Sequence, residues 1–352
     1  MPIDVVGWDI GGAHLKAAAL DGAGRVLALI QEACPLWQGL ERLHAALDRV
    51  FGRLKPPPDC RHAVTMTGEL ADCFADREEG VVTLVTAMTR RCPPGSVSIF
   101  AGRDGFLAPD AVTPERIGAI ASANWLASGL WTAAQLPEAL FVDIGSTTTD
   151  IVPIRGHQVE HRGQSDHQRL RYAELVYTGI VRTPVMAVAD RAPFDGEWVG
   201  VMAERFATMA DVYRLTGELS EAMDQCSAAD GGPKTPAGSR RRLARLLGLD
   251  AASAPPERWR RAAEFFRERQ VETIRAGVEI QLSRGLLGDS APFVGAGVGR
   301  FLVRELAERF KRSYRDFSDL FGMAMANSEF RAADCAPAAA VAALALRGRG
   351  RK

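Results

Sequence analysis

Residues 4–31 carry three short apolar runs, "DVVGWDI", "HLKAAAL" and "RVLALI", separated by "GG" and "DGAG". Runs of this length between glycine turns predict three consecutive antiparallel strands. The next stretch, "LWQGLERLHAALDRVFGRL" (36–54), repeats its apolar positions at helical spacing, and "KPPPD" stops it. "HAVTMTG" (62–68) and "SVSIFA" (96–101) predict strands, and "IGAIASANWLASGLWTAAQL" (117–136) predicts one long alanine-rich helix. Then "ALFVDIG", "TTTDIVPI" and "QVEHRG" repeat the opening plan of strand, turn, strand, turn, strand. Beyond it, 197–217 and 256–287 have helical periodicity. Residues 226–242, rich in Gly, Pro and Ser, predict a mobile loop, and "APFVGAGVGRFLVREL" (291–306) predicts a strand, a glycine turn and a helix start.

A supersecondary unit that recurs at a fixed offset points to a duplicated domain. The expected organisation is α/β: two domains with a cleft between them, at 1–138 and at 139–335 with a helical insertion. The alanine-rich segment 336–347 is expected to be a helix that packs back on the first domain. A chain of 352 residues is long enough for two such cores.

Composition narrows the possible functions. Forty-three Lys and Arg cancel 43 Asp and Glu, and the pI is near neutral, so nothing global recruits nucleic acid or an anionic membrane. "MPIDVVGWDI" lacks a signal-peptide pattern, and no apolar run is long enough to span a bilayer. The six cysteines are scattered, with no CxxC pair and no histidine at zinc spacing. Free thiols in a cytoplasmic protein are the expectation.

The candidate chemistry lies where the repeated strands end. Gly11 and Gly12 form one turn; Gly145, Ser146, Thr147 and Thr148 form the other. Glycine turns let backbone N–H groups face a phosphate without an intervening Cβ. Two such turns facing each other would grip a polyphosphate from both sides. Asp9 and Asp143, at the strand ends, suit Mg²⁺, and Lys16 could reach a phosphate as a point charge. Taken singly, each Asp-x-Gly turn reads first as an ordinary hairpin; two copies with matched flanks reverse that preference. The late "FVGAGVG", with Gly295 and Gly297, adds a third glycine turn, too far along the chain for a dinucleotide fingerprint.

These three turns, in this order, resemble the acetate kinase, sugar kinase, Hsp70 and actin superfamily. The resemblance implies two ribonuclease H-like domains, with hairpins that bind phosphates and a late turn beside an adenosine. "TMTGELADCF", "SANWLASG", "FVDIGSTTTDIVPI", "YTGIVRTPV" and "DVYRLTG" are similar to one branch, the hydantoinase/oxoprolinase-related group of the tetrahydromethanopterin-linked one-carbon pathway. Archaeal members resemble a methanofuran-building synthase. The implied reaction joins an aminomethylfuran-methyl diphosphate to the phenol of a tyramine or tyrosine derivative, forming an ether and releasing diphosphate. The Arg- and Ala-rich composition implies a bacterial methylotroph as the setting.

Under that resemblance the phenol's proton would go to Asp150, Glu69 or His14, which the sequence leaves open. Asn124, Arg182 and Thr183 are candidate substrate contacts, alongside His14, which stands where the archaeal relatives lead one to expect a small amide. Asp72, like Glu69 in the loop after a strand, reads equally as a solvated carboxylate or a site residue; Trp125 reads as core, and His161 and His167, flanking "RGQSD", as solvent-exposed. Asp230 and Lys234 lie in the expected mobile loop. "SRRRLAR" (239–245) reads as a solvated basic face and "RGRGRK" as a disordered tail. Two other classes of function compete: an ATP-dependent kinase or hydantoinase-like enzyme, and a non-catalytic nucleotide-sensing protein.

Overall fold

The computed structural model describes residues 1–323 and 329–348. The chain opens with β1 (Val5–Ile10), β2 (His14–Leu20) and β3 (Arg25–Ala33), followed by α1 (Leu40–Leu54) and β4 (Arg61–Met66). Next come α2 (Arg77–Thr89), β5 (Val97–Phe100), β6 (Phe106–Leu107), α3 (Ile117–Ile120) and α4 (Asn124–Gln135). A second hairpin follows: β7 (Glu138–Ile144), β8 (Thr149–Arg155) and the two-residue β9 (Gln158–Val159). After it lie α5 (Asp166–Arg171), β10 (Leu175–Val176), β11 (Arg191–Phe194), β12 (Glu197–Gly200), α6 (Met209–Thr216), α7 (Pro236–Leu246) and α8 (Pro256–Leu282). The chain ends with β13 (Phe293–Ala296), α9 (Arg300–Arg309), β14 (Tyr314–Asp316), β15 (Gly322–Met323) and α10 (Ala336–Arg347). Of the expected disordered tail, residues 349–352 lie outside the described residues.

Two sheets result. The first runs β15-β3-β2-β1-β4-β5-β6; the second runs β10-β8-β7-β13-β14, with β9 on β8. Both begin with an antiparallel hairpin and continue with a parallel strand on the hairpin's first member: β4 on β1, and β13 on β7. The alternation of side chains along each strand sorts the core into three parts. Val6, Trp8 and Ile10 point outward to α1 and α2, while Leu140, Val142 and Ile144 point outward to α6, α8 and α9. Val5 and Ala18 of the first sheet and Phe141 and Val152 of the second face a shared central layer that includes α4 and α10.

α10 shows why its sequence is so rich in alanine. It lies close against β1, and a Cβ on Gly7 would overlap the carbonyl oxygen of Ala338 and come within 2.9 Å of the Ala342 Cβ. Only small residues on both partners allow that approach. On the opposite face of β1, Trp8 is fully buried, donates its indole N–H to His62 Nδ1 at 3.1 Å and stacks on Phe51. No helix among the described residues is long and apolar enough to cross a membrane.

Four sequence expectations change. The helix expected over 117–136 is two helices, because Ser122 adopts a left-handed φ of 51° between them. Residues 197–200 are not helical; they pair as β12 with β11, and helix begins only at Met209. The expected loop 226–242 becomes helix at Pro236, where Thr235 caps the first turn by accepting from Gly238 N–H. α2 was not expected, because its buried positions do not form a clean helical stripe in sequence.

Candidate active site

The two hairpins are built alike. Asp9 pairs in register with Lys16 across β1 and β2, and Asp143 pairs with Asp150 across β7 and β8. Residues paired across neighbouring strands project from the same face. Here that is the face turned to the central layer, so four charged side chains from two sheets reach one gap. Asp9 is 6% exposed, and Asn124, at the start of α4, donates to its Oδ1 at 3.5 Å. The break at Ser122 is what places Asn124 at a helix start facing β1.

Burial of the carboxylates dominates the electrostatics, with their mutual repulsion second. Burial pushes Asp143 up to about 7, with the Asp150 carboxylate raising it further and Lys16 opposing. Asp9 is pushed up to about 6, again by burial, with Lys16 and the Asn124 amide pulling down and Asp150 pushing up. Asp150 is also raised by burial, against the pull of Arg169, whose guanidinium lies 2.8 Å away and is 2% exposed. Arg169 in turn lies over the Trp125 ring at 3.9 Å, so this core tryptophan helps seat the Asp150 partner. Burial, Lys16 and Arg182 together hold His14 down to about 3, so it is neutral at ordinary pH.

The turns themselves differ in what the fold requires of them. Gly12 has open space where a Cβ would stand, and at Gly145 a Cβ would meet only the Thr148 carbonyl at 3.4 Å. Neither glycine is demanded by the neighbouring protein atoms. Gly297 is different: it has a φ of 80°, and a Cβ there would overlap both the Ile144 carbonyl and Asp143 Oδ1. The late turn therefore lies directly on the end of β7. Gly295 is not part of that turn. It pairs with Val142 and Asp316 inside the sheet, and the Tyr314 ring fills the space over it, so its reading as a phosphate contact gives way to packing.

Ser146, Thr147 and Thr148 are half-buried at the second turn, whereas Thr149 is buried and donates to Thr178 O at 2.8 Å. The turn is propped from behind: Ile180 N–H donates to Gly145 O, and the N–H groups of Val181 and Arg182 donate to Ser146 O. Thr183 is buried, and its hydroxyl accepts from Gly179 N–H at 2.8 Å. Its expected substrate contact is thus taken up by the protein's own backbone, while Arg182 stays exposed, with its guanidinium over Trp37 at 4.8 Å.

Glu69 is fully buried rather than solvated. It accepts from Ser122 Oγ at 2.8 Å, and burial raises its pKa against that hydrogen bond. Ser122 Oγ also lies 3.2 Å from Asp166, which pairs with Arg77 at 3.2 Å. Ser122, Asp166 and Arg169 were not singled out in the sequence. Asp166 stands in the "RGQSD" run between two histidines, with no motif of its own, and a left-handed serine has no sequence mark. Asp72 and His167 are exposed, and His161 is spent on Gly163 O and Arg103.

Beside the turns opens a cavity of about 700 Å³, lined by Ala13, Pro35 and Trp37 on one side and by Val181, Arg182, Thr208 and residues 224–229 on the other. The 226–235 segment is anchored at its start by Gln225 Nε2, which donates to Gln31 O in β3 at 3.1 Å. Asp230 pairs with Arg242 at 3.1 Å, and Lys234 donates to Asp224 O, so both loop charges are engaged internally. Arg242 is fully buried against Asp211, while Arg241 and Arg245 are exposed, so the reading of 239–245 as a solvated face holds only in part.

Among the described residues no group of three or more His, Cys, Asp or Glu converges as a metal cage. Mg²⁺ does not require one; it commonly takes one or two carboxylates and completes its shell with water and substrate phosphate. Asp9 and Asp143 are hard oxygen donors of that kind, and with Asp150 they outnumber the nearby Lys16. The donor set fits. All six cysteines are free.

Comparison with known proteins places these features. The family described as hydantoinase/oxoprolinase matches residues 61–332. A (4-{4-[2-(gamma-L-glutamylamino)ethyl]phenoxymethyl}furan-2-yl)methanamine synthase from Methanocaldococcus jannaschii is 29% identical, over 88% of this chain and 90% of its own. The synthase of the same name from Methanococcus vannielii is 32% identical over 32% of this chain and 50% of its own. The nucleotide-free structure of acetone carboxylase overlays 88% of this chain and 67% of that one at a TM-score of 0.55 and 11% identity. That likeness shows the fold alone, an α/β chain built on two hairpin-led sheets.

Proposed function

The chain belongs to the hydantoinase/oxoprolinase family, and from that premise we propose that it is an ether-forming synthase of methanofuran-type cofactor assembly. The donor is an aminomethylfuran-methyl diphosphate and the acceptor is a phenol of the tyramine or tyrosine class. The carrying observation is the convergence of Asp9, Lys16, Asp143 and Asp150 from two sheets beside a cavity large enough for both substrates. The product named for the archaeal relatives, a furan joined through a methylene to a phenolic oxygen, supports the same bond.

The chemistry follows from the residues. The bond between the furan-bearing methylene and the diphosphate oxygen breaks, and its electron pair leaves with diphosphate. The furan ring delocalises the positive charge that develops on the methylene. Asp9 and Asp143 would hold Mg²⁺, which supplies positive charge to the departing diphosphate. Lys16 adds a point charge, and the two turns would offer the phosphates the backbone N–H groups their hairpins leave over, since those of Gly11 and Gly145 already donate to His14 O and Thr148 O. The phenol oxygen bonds to the methylene and loses its proton. Its ordinary pKa is about 10, so a base must take that proton as the bond forms. Asp150 takes this role: Arg169 favours its ionised form, and it stands across the hairpin from Asp143. His14 is held near 3 and is too weak a base, and Glu69 is turned to Ser122.

The test is direct. Protein with Mg²⁺, the furan diphosphate and tyramine or γ-glutamyltyramine should release diphosphate and yield the aryl ether by mass spectrometry. The same preparation is given ATP in parallel. Phosphate release from ATP, with no ether formed, would instead support the ATP-dependent reading.

A further inference from the structure

The cavity beside the turns carries a local surplus of positive charge in a chain whose net charge is zero. Six cations line it: Arg42, Arg49, Arg182, Arg205, Arg214 and Lys234. Only two carboxylates do, Asp211 and Asp224. Both acids are already engaged. Asp211 accepts from Ser239 at 2.7 Å and from Arg242 at 2.9 and 2.7 Å, while Asp224 pairs with Arg214 and lies 3.8 Å from Lys234. Arg49 is held by Glu32 at 3.0 Å.

Three guanidinium groups remain. Arg182 and Arg205 have no carboxylate within 4.0 Å among the described residues, and the nearest acid to Arg42 is its exposed neighbour Glu41, at that limit. They reach the cavity from both halves of the chain: Arg42 from α1, and Arg182 and Arg205 from the stretch between β10 and α6. Arg182 is also pre-positioned. Its guanidinium lies over Trp37, and its backbone N–H donates to Ser146 O at 2.8 Å. One short segment thus links the second turn to this basic wall. A cavity of about 700 Å³ is far larger than a diphosphate, so most of it faces something else.

We propose that this cavity seats a carboxylate at the end of the acceptor remote from its phenol, with Arg182, Arg205 and Arg42 as its contacts. The inference rests on the ether-forming reading and adds to it the residues that recognise the acceptor's far end. The planar fork of a guanidinium matches a carboxylate with two parallel hydrogen bonds. Stacking on Trp37 limits the freedom Arg182 would lose on binding.

The experiment is calorimetric titration of the full chain with Mg²⁺ against three probes: γ-glutamyltyramine, N-acetyltyramine and inorganic diphosphate. N-acetyltyramine keeps the phenol and lacks the carboxylate. The wild type should prefer γ-glutamyltyramine by roughly ten-fold or more, the scale of a charge-assisted hydrogen bond. Arg182→Gln and Arg205→Gln should each remove most of that preference. Both should leave N-acetyltyramine and diphosphate binding within about two-fold, and both sites are exposed, so folding should be unaffected. Equal affinity for the two phenols in the wild type would overturn the proposal. So would variants that weaken diphosphate as strongly as γ-glutamyltyramine, since the arginines would then serve the leaving group. Binding is read without turnover. A carboxylate preference with no ether formed from any phenol would refute the synthase reading alone, and ether formed without the preference would refute this inference alone.

Discussion

Replacing Asp143 with Asn should abolish turnover and yet make the metal-free protein more stable at pH 8. Asp143 is held near 7 in the fold, against about 3.9 for an unfolded chain. Between those values the folded state binds the extra proton, so stability falls as pH rises through that window. It is fully present below about pH 4 and lost by the time pH passes 7. A three-unit difference corresponds to up to about 4 kcal/mol at pH 8. Part of this belongs jointly to Asp9 and Asp150, which titrate with Asp143 in one gap. Asn has the same shape and no charge to bury. In EDTA, wild-type Tm should therefore drop between pH 5 and pH 8 more steeply than that of Asp143→Asn. Mg²⁺ should raise wild-type Tm at pH 8 and leave the variant unmoved, because the ion offsets the same repulsion. The assay is thermal unfolding by circular dichroism at both pH values, with and without metal. A variant less stable than wild type at pH 8 in EDTA would refute the reasoning, since Asp143 would then be a structural partner. An equal Mg²⁺ response in both proteins would remove it from the metal set.

Gly12→Ala should fold with unchanged Tm, because its Cβ meets no protein atom, while losing roughly 100-fold or more in kcat/KM if a phosphate passes over that turn; steady-state kinetics beside a melting curve checks both. Gly7→Val should destabilise by about 3 kcal/mol, the upper end of overpacking, by forcing α10 off β1, and urea unfolding should show it. Arg169→Met should cost about 3–5 kcal/mol by stranding Asp150, and Asp150→Asn in the same chain should recover most of that loss in a double-mutant cycle.

The duplicated hairpins were legible because two periodic signals coincide there: strand-length apolar runs and Asp-Ile-Gly at each end. The register that pairs Asp9 with Lys16 and Asp143 with Asp150 follows from those turns. The remainder depended on contacts far apart in sequence. Nothing local marks Ser122 as left-handed, so the helix over 117–136 read as continuous and Asn124 seemed to lie mid-helix. Arg169 and Asp166 acquire meaning only when α5 folds against β8 and the Ser122 bend. Gly295 and Thr183 misled for a different reason. Their residue types match a ligand contact, but Tyr314 on the neighbouring strand claims the space over Gly295, and Gly179, only four residues away, claims the Thr183 hydroxyl. The basic cavity was invisible because its arginines are spread from residue 42 to residue 205 and net charge averages them away.

The two hairpins also differ in one informative place. Lys16 stands seven positions after Asp9, and Asp150 seven after Asp143, on equivalent strands in equivalent register. The repeat is therefore symmetric in shape and opposite in charge at one position. A polyphosphate grip alone would favour cations on both sides of the gap. A reaction that releases an anion on one side and a proton on the other needs what is found: a cation beside one turn and a carboxylate beside its counterpart. Arg169 fits this division, since it favours the ionised form of Asp150 and lies buried against Trp125. Lys16→Gln should then weaken handling of the diphosphate, and Asp150→Asn should instead alter the pH dependence of attack by the phenol. If both variants changed the same kinetic parameter in the same way across pH, the two hairpins would be sharing one role.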